Sequence, residues 1–234
     1  MHTRLLLVRH GQTDWNVEGR IMGQLDIPLN ALGVRQAAAA ARAIAQRLIQ
    51  EAGAMAQAIA RPLDGAPDGR PELQLFTSDL GRARATAAAI HADLLEGQPG
   101  LPAPALEPRL REMNFGEWEG LTYAEMKARD PERVAAWETD MLHIAPPGGE
   151  TLTQFAARVE DFYQEIVRKR IPGTALVVAH GGPLSVLVVQ ALGLPPERYW
   201  QFNLSNTGMV ELNLYPVGAI LNRFNDTAHL QEIE

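Results

Sequence analysis

The 234-residue chain contains no cysteine, which excludes disulfides, thiolate metal sites and cysteine nucleophiles. No apolar run approaches the ~20 residues that a membrane-spanning helix needs. The apolar segment in the opening Met-His-Thr-Arg-Leu-Leu-Leu-Val is too short for a secretory signal. A soluble cytoplasmic protein is therefore expected. Positive charge is also scarce. Lys and Arg number 21 against 28 Asp and Glu, so the net charge is 21 − 28 = −7 and the pI is near 5.4. That balance argues against nucleic acid and anionic membranes as partners. It also makes any gathering of arginines informative. No pair of histidines shows a metal-binding spacing such as H-x-x-x-H, so no metal is expected.

What is present suits a globular domain. Hydrophobic residues make up 46% and charged residues 21%, enough for a core without staples. Leu5 to Val8 reads as a buried strand ending at Arg9, Leu73 to Thr77 as a second and Ala175 to Ala179 as a third. Gly208 to Leu214 and Ala219 to Phe224 read as a closing pair. Helices are expected from Ala31 to about Ala60, Gly81 to Leu95, Thr122 to about Met141 with an interruption at Asp130-Pro131, Thr151 to Arg170, and Pro183 to Leu192. Arg61 to Glu72, with three prolines and two glycines, reads as a loop, and Gly97 to Pro108 as a Pro-rich connection. Strands alternating with helices predict a three-layer α/β/α sandwich around a mostly parallel sheet. With no repeat and no linker, residues 1–234 are expected to form one domain.

Two histidines occupy matched positions. His10 follows Leu-Leu-Leu-Val-Arg and precedes Gly11; His180 follows Leu-Val-Val-Ala and precedes Gly181 and Gly182. Both lie just past the carboxyl end of a buried strand, where open α/β sheets bind ligands. Glycines beside them let backbone approach a ligand and leave amides free. A lone histidine is more often a satisfied structural residue, and His2, His91 and His143 are read that way. Arg82 falls in the first turn of the helix after the strand Leu73 to Thr77 and can reach the same crevice, whereas Arg84 is expected to point away. The segment Leu110 to Gly120 carries Glu112, Glu117 and Glu119, and composition alone does not choose among them. Phe115 and Trp118 in it are expected to be core anchors.

The motifs together resemble the histidine phosphatase superfamily, the phosphoglycerate mutase-like enzymes. The matching pieces are Arg9-His10-Gly11-Gln12-Thr13-Asp14-Trp15-Asn16, Gly23 through Leu29, Ser78 to Ala83 with Thr86-Ala87, and Leu110-Arg111-Glu112 with Phe115-Gly116 and Trp118-Glu119-Gly120. Pro147 to Thr151, Ala179-His180-Gly181-Gly182, Asn206, Asn225-Asp226 and His229-Leu230 come next, in the family's order. The resemblance implies that His10 is a nucleophile that becomes a phosphohistidine. It implies that Arg9, Arg82 and His180 surround the phosphoryl group, with Asn16, Gln24 and Gly181 as further binding residues. Glu112 takes the acid/base position, and His229 falls in a structural tail. A neutral imidazole suits attack on a phosphate dianion, and arginine's planar fork suits its oxygens.

The resemblance also separates two branches. Cofactor-dependent mutases usually carry a basic segment with paired arginines after the acid/base glutamate, and 2,3-bisphosphoglycerate as primer. Here Leu121 to Leu142 has only Lys127, Arg129 and Arg133. The Phe-Gly-Glu-Trp-Glu-Gly form and the Pro-Gly-Gly-Glu turn are more similar to the phosphatase branch. The expected activity is hydrolysis of a small-molecule phosphomonoester, without a cofactor. A phosphoglycerate mutase is the alternative, and a non-catalytic phosphate-binding relative the third reading. Residues Ile21 to Gln24, Leu121 to Pro147 and the loop before Leu73 are expected to set specificity, with Ile21, Met22 and Leu142 as an apolar rim. The Ala-rich helix faces pack either inside the chain or against a second copy as a homodimer.

Overall fold

The computed structural model describes residues 3–58, 72–169, 173–231 and 233. Six strands form one sheet: β1 (Thr3–Arg9), β2 (Glu72–Thr77), β3 (Ala105–Leu106), β4 (Gly173–Ala179), β5 (Met209–Tyr215) and β6 (Gly218–Asp226). Their order is β3-β2-β4-β1-β5-β6. The β3-β2-β4-β1 part is parallel, and β5 and β6 close one side antiparallel. The mostly parallel sheet is thus present.

Side-chain alternation along the central strands explains the layers, since successive strand residues face opposite sides. Leu5 and Leu7 of β1, with Ala175, Val177 and Ala179 of β4, pack against α6 (Leu152–Lys169) and α7 (Gly181–Ala191). Leu6 and Val8, with Leu176 and Val178, pack against α2 (Ala31–Ala58) and α3 (Gly81–Gly97) on the other face. Residues 174–179 are buried throughout, which is why their sequence is a continuous apolar run rather than an alternating one.

The remaining elements refine the sequence reading. A five-residue helix α1 (Asp14–Glu18) follows β1, with Thr13 and Asn16 forming a reciprocal cap. The helix expected from Thr122 is two, α4 (Tyr123–Arg129) and α5 (Pro131–Thr139), because Pro131 starts a new helix after Asp130. Thr151 caps α6 as expected: its hydroxyl accepts from the Gln154 amide at 3.1 Å while Gln154 Oε1 accepts from Thr151 N. α7 begins at Gly181, two residues earlier than its proline suggested. The connection after α3 contributes β3. Residues 59–71, and with them the predicted loop and the end of the helix near Ala60, lie outside the described residues, as do His2 and Arg170. Trp118, Met126 and Val134 form a separate small core with Trp137 and Phe115 packed against it, so the two expected aromatic anchors hold the α4–α5 excursion. Ile21, partly buried, packs on this cluster too.

Candidate active site

The sheet order itself builds the site. β1 and β4 are parallel neighbours with Arg9 opposite Ala179, so the residues just beyond them, His10 and His180, come out side by side. The His10 amide donates to the Ala179 carbonyl at 2.9 Å, and the two imidazole centroids are 5.1 Å apart at 61°. β2 flanks β4 on the other side, and the Ser78 amide donates to the Val178 carbonyl at 3.0 Å. The chain then enters α3, whose second residue is Arg82. Three strand ends and two helix N-termini therefore converge, and helix N-termini favour anions.

His10 is 1% exposed. Its Nδ1 lies 2.7 Å from the Gly11 carbonyl oxygen. A carbonyl can only accept, so Nδ1 carries the proton and Nε2 keeps its lone pair. Burial, together with the charges of Arg9 and Arg82, holds the His10 pKa well below its ordinary 6.5. His180 is also fully buried. Arg82 Nε donates to its Nδ1 at 3.2 Å, and its Nε2 lies 2.9 Å from Ser78 Oγ. Since a guanidinium always donates, the proton of His180 sits on Nε2 and is given to Ser78. Burial, then Arg82, His10 and Arg9, depress its pKa well below 6.5.

Arg82 has no exposed surface. Its two terminal nitrogens donate to the Leu25 and Gly23 carbonyls at 2.7 and 2.8 Å, so the guanidinium is fixed before any ligand arrives. Arg9 donates through Nη1 to the Leu204 carbonyl at 2.5 Å, while its buried Nε has no partner. Burial draws the pKa of both arginines down from 12.5, and Glu112 opposes it; both stay cationic at neutral pH. Arg84 is exposed, as expected.

The geometry chooses among the three glutamates. Glu112 accepts from the Gly182 amide at 3.2 Å and from the Met113 amide at 2.9 Å, which places its carboxylate at the start of α7. A Cβ on Gly182 would collide with Glu112 Oε1, so glycine is what admits the carboxylate there. Glu119 instead accepts from the Gln24 and Phe115 amides at 2.9 and 3.1 Å, and Glu117 pairs with Arg129 at the surface.

Not every expected ligand-binding group is free. Asn16 Oδ1 accepts from the Thr13 amide and hydroxyl and from Asn206 Nδ2 at 3.2 Å, leaving the Asn16 amide NH2 as the group that can donate outward. The Gln24 side chain donates to the Glu112 carbonyl at 3.2 Å, so in this structure it braces the glutamate's segment. Two residues carry more than the sequence suggested. Ser78 orients His180, and Asn206 donates to the His10 carbonyl at 3.2 Å. His229 Nε2 is 3.0 Å from Thr207 Oγ1, a bracing contact. His91 and His143 meet the Leu101 carbonyl and Asp140 respectively, away from the crevice. Among the described residues no three His, Asp or Glu side chains gather as a metal would require.

Fold and site together define a phosphate-handling enzyme of the phosphoglycerate mutase-like class. The sequence profile of the histidine phosphatase superfamily (branch 1) matches residues 5–227, and the chain belongs to that superfamily. It is 34% identical over 203 residues to the glucosyl-3-phosphoglycerate phosphatase of Mycolicibacterium vanbaalenii, covering 84% of this chain and 77% of that one. It is 29% identical over 225 residues to the adenosylcobalamin/α-ribazole phosphatase of Escherichia coli K12, covering 96% and 97%. The solved mycobacterial glucosyl-3-phosphoglycerate phosphatase superposes with a TM-score of 0.74 at 30% identity, over 97% of this chain and 100% of the other. The chain is thus a phosphatase-type enzyme of this superfamily, consistent with hydrolysis of phosphomonoesters.

Proposed function

We propose that the protein hydrolyses small phosphomonoesters by two in-line transfers through a phosphohistidine on His10, with water as the final acceptor and no metal. One observation carries this. A buried imidazole, held neutral with Nε2 unprotonated, stands between two fixed guanidiniums and within the same crevice as a carboxylate seated on a helix N-terminus.

In the first transfer the His10 Nε2 lone pair attacks phosphorus and the bond to the ester oxygen breaks. Glu112, in its acid form, gives its proton to the departing alkoxide. In the second, a water attacks the phosphohistidine, Glu112 takes the water's proton, and the P–N bond returns its electron pair to His10. Arg9 and Arg82 neutralise the oxygens through both steps. His180 exchanges Ser78 for a phosphoryl oxygen as the acceptor of its Nε2–H when substrate binds, and Gly181, at the first turn of α7, contributes a backbone amide. Asn16 contributes its amide NH2. Gln24 acts through the segment it braces.

The test is a panel of phosphomonoesters assayed for phosphate release, with 3-phosphoglycerate run with and without 2,3-bisphosphoglycerate. Acid-labile, base-stable radiolabel should appear on His10 within one turnover and be absent from His10→Ala. Mutase flux exceeding phosphate release would overturn the choice of water as acceptor.

A further inference from the structure

Beside Arg9 a cavity of about 270 Å³ opens at the start of α7. Its floor is Gly181 and Gly182, and its wall is Tyr199, Trp200, Phe202 and Asn203. The wall belongs to the short 3-10 segment Pro196–Gln201 and the residues after it. Two bonds tie that wall to the site: Ser185 of α7 donates to the Phe202 carbonyl at 2.5 Å, and Arg9 holds the Leu204 carbonyl.

The position of this cavity says what enters it. An acid/base group must sit beside the ester oxygen it protonates, and Glu112 is bonded to Gly182 on the cavity floor. Tyr199 is close enough that the Glu112 charge adds to burial in raising its hydroxyl pKa to about 12. A substrate with phosphorus at His10 and its ester oxygen at Glu112 has this cavity beside it, past Arg9 and Gly182, for its alcohol portion.

The chemistry of the wall says what kind of alcohol fits. Trp200 is 65% exposed, an indole face with apolar area and no protein ring stacked on it among the described residues. Tyr199 is backed edge-on by Phe155 and Phe202 by Phe224, at 6.3 and 5.6 Å between centroids, so the wall is rigid. Among the described lining residues Arg9 is the one cation, and the phosphate uses it. A leaving group carrying a carboxylate would be desolvated here with no counter-charge. On the far side of Trp200 a second cavity is lined by Glu138, Asp140 and Glu197 against the cation Arg198, a net negative neighbourhood for an anion.

Resting on the phosphatase reading above, we propose that Tyr199, Trp200 and Phe202 form the leaving-group subsite, and that it selects phosphomonoesters of uncharged ring-bearing alcohols over those of hydroxy acids. Trp200 supplies the stacking face, Asn203 an amide for ring substituents.

The experiment compares kcat/KM for phenyl phosphate and ribose 5-phosphate, two ring classes, with glycerol 3-phosphate and 3-phosphoglycerate. The wild type should prefer at least one ring ester over both ringless ones, and the two ring arms show whether the face takes an aromatic or a sugar. Trp200→Ala should lower the ring-to-glycerol ratio about fivefold, and Trp200→Phe should restore most of it. An unchanged ratio in Trp200→Ala, or a wild type that favours 3-phosphoglycerate, overturns the subsite. Absence of phosphate release from all four esters would instead count against the phosphatase reading. The subsite is then tested by titration calorimetry on His10→Ala, where adding Trp200→Ala must weaken phenyl phosphate more than glycerol 3-phosphate.

Discussion

The two buried histidines make stability pH-dependent in a calculable way. Both are held neutral in the folded chain with pKa values well below 6.5, while in the unfolded chain each returns to about that value. Between the depressed folded value and 6.5 the unfolded chain binds more protons than the folded one. Stability therefore rises with pH in that window and is lost as acid is added. At pH 5.5 each unfolded imidazole gains on the order of 1 kcal/mol from protonation that its folded counterpart forgoes, and almost nothing at pH 7.5. The pair should thus cost the fold roughly 2–3 kcal/mol over those two pH units. For a chain of this length that is a fall of roughly 4–12 °C in Tm.

The window separates this effect from the carboxylates. Asp79 and Asp226 are stabilised below 3.8, and Glu51 below 4.5, by their arginine and backbone partners, so their contribution is lost only at more acid pH. His229, also depressed by burial, adds in the same direction and stays in both proteins compared. The assay is urea unfolding at pH 7.5, 6.5 and 5.5, in buffer free of phosphate, for the wild type and for His10→Gln/His180→Gln. The variant should lose most of the slope whatever its absolute stability. Equal slopes would refute the claim that these imidazoles are neutral in the fold, and with it the unprotonated Nε2 on which the proposed attack depends.

Three further outcomes rest on the same geometry. Glu112→Gln keeps the side chain's size and one acceptor oxygen for the Gly182 and Met113 amides but cannot shuttle a proton; kcat should fall by ~10²–10⁴ while the inhibition constant for inorganic phosphate moves less than about threefold, and unchanged turnover would remove Glu112 from the mechanism. Gly33→Ala drives a Cβ into the Gln12 backbone just after the nucleophile; it should cost ~1–3 kcal/mol in urea unfolding and reduce kcat, and a variant as stable and active as wild type would show that the His10 loop is not clamped there. Prolonged dialysis against EDTA should leave phosphate release intact; loss that added divalent metal restores would contradict metal-free transfer.

The parts legible in sequence are those where one physical signal dominates. The apolar runs ending at Arg9, Thr77 and Ala179 announce buried strands, and the residues just past each run had to lie at the carboxyl edge of the sheet. That is why His10, His180 and Arg82 could be grouped before any coordinates. What was missed depends on pairing across long separations. β3 is two exposed residues, formed because Phe76 and Thr77 offer a free edge, with no pattern of its own. Ser78 is an ordinary serine until β2 lies beside β4 and its hydroxyl meets His180. Gln24 and Asn16 have the right place, but their bonds to the Glu112 carbonyl and to Thr13 are tertiary and capping contacts that spacing cannot foretell. Tyr199 and Trp200 come after a Pro-Pro pair in a segment with no periodicity; an aromatic pair in such a stretch was the only signal.

Where the cations lie favours water as the acceptor of the second transfer. A mutase has to hold a phosphoglycerate carboxylate over the phosphohistidine and keep water out, which calls for free basic groups above the site. The basic residues on the α4–α5 excursion are committed elsewhere: Lys127 to Glu138 at 3.4 Å, Arg129 to Glu117 at 3.2 Å and Arg133 to Asp130 at 3.9 Å. Arg111, next to Glu112 in the chain, is held by Asp79 at 2.6 Å. Exposed pairs such as these are worth little, so a carboxylate could compete for one of them. It would have to do so at the surface, in screened solvent, and not over the reacting phosphorus. A site with its buried cations aimed at one phosphoryl group, a carboxylate ready to activate water, and an uncharged aromatic wall for the departing alcohol is built to release that alcohol and admit water in its place.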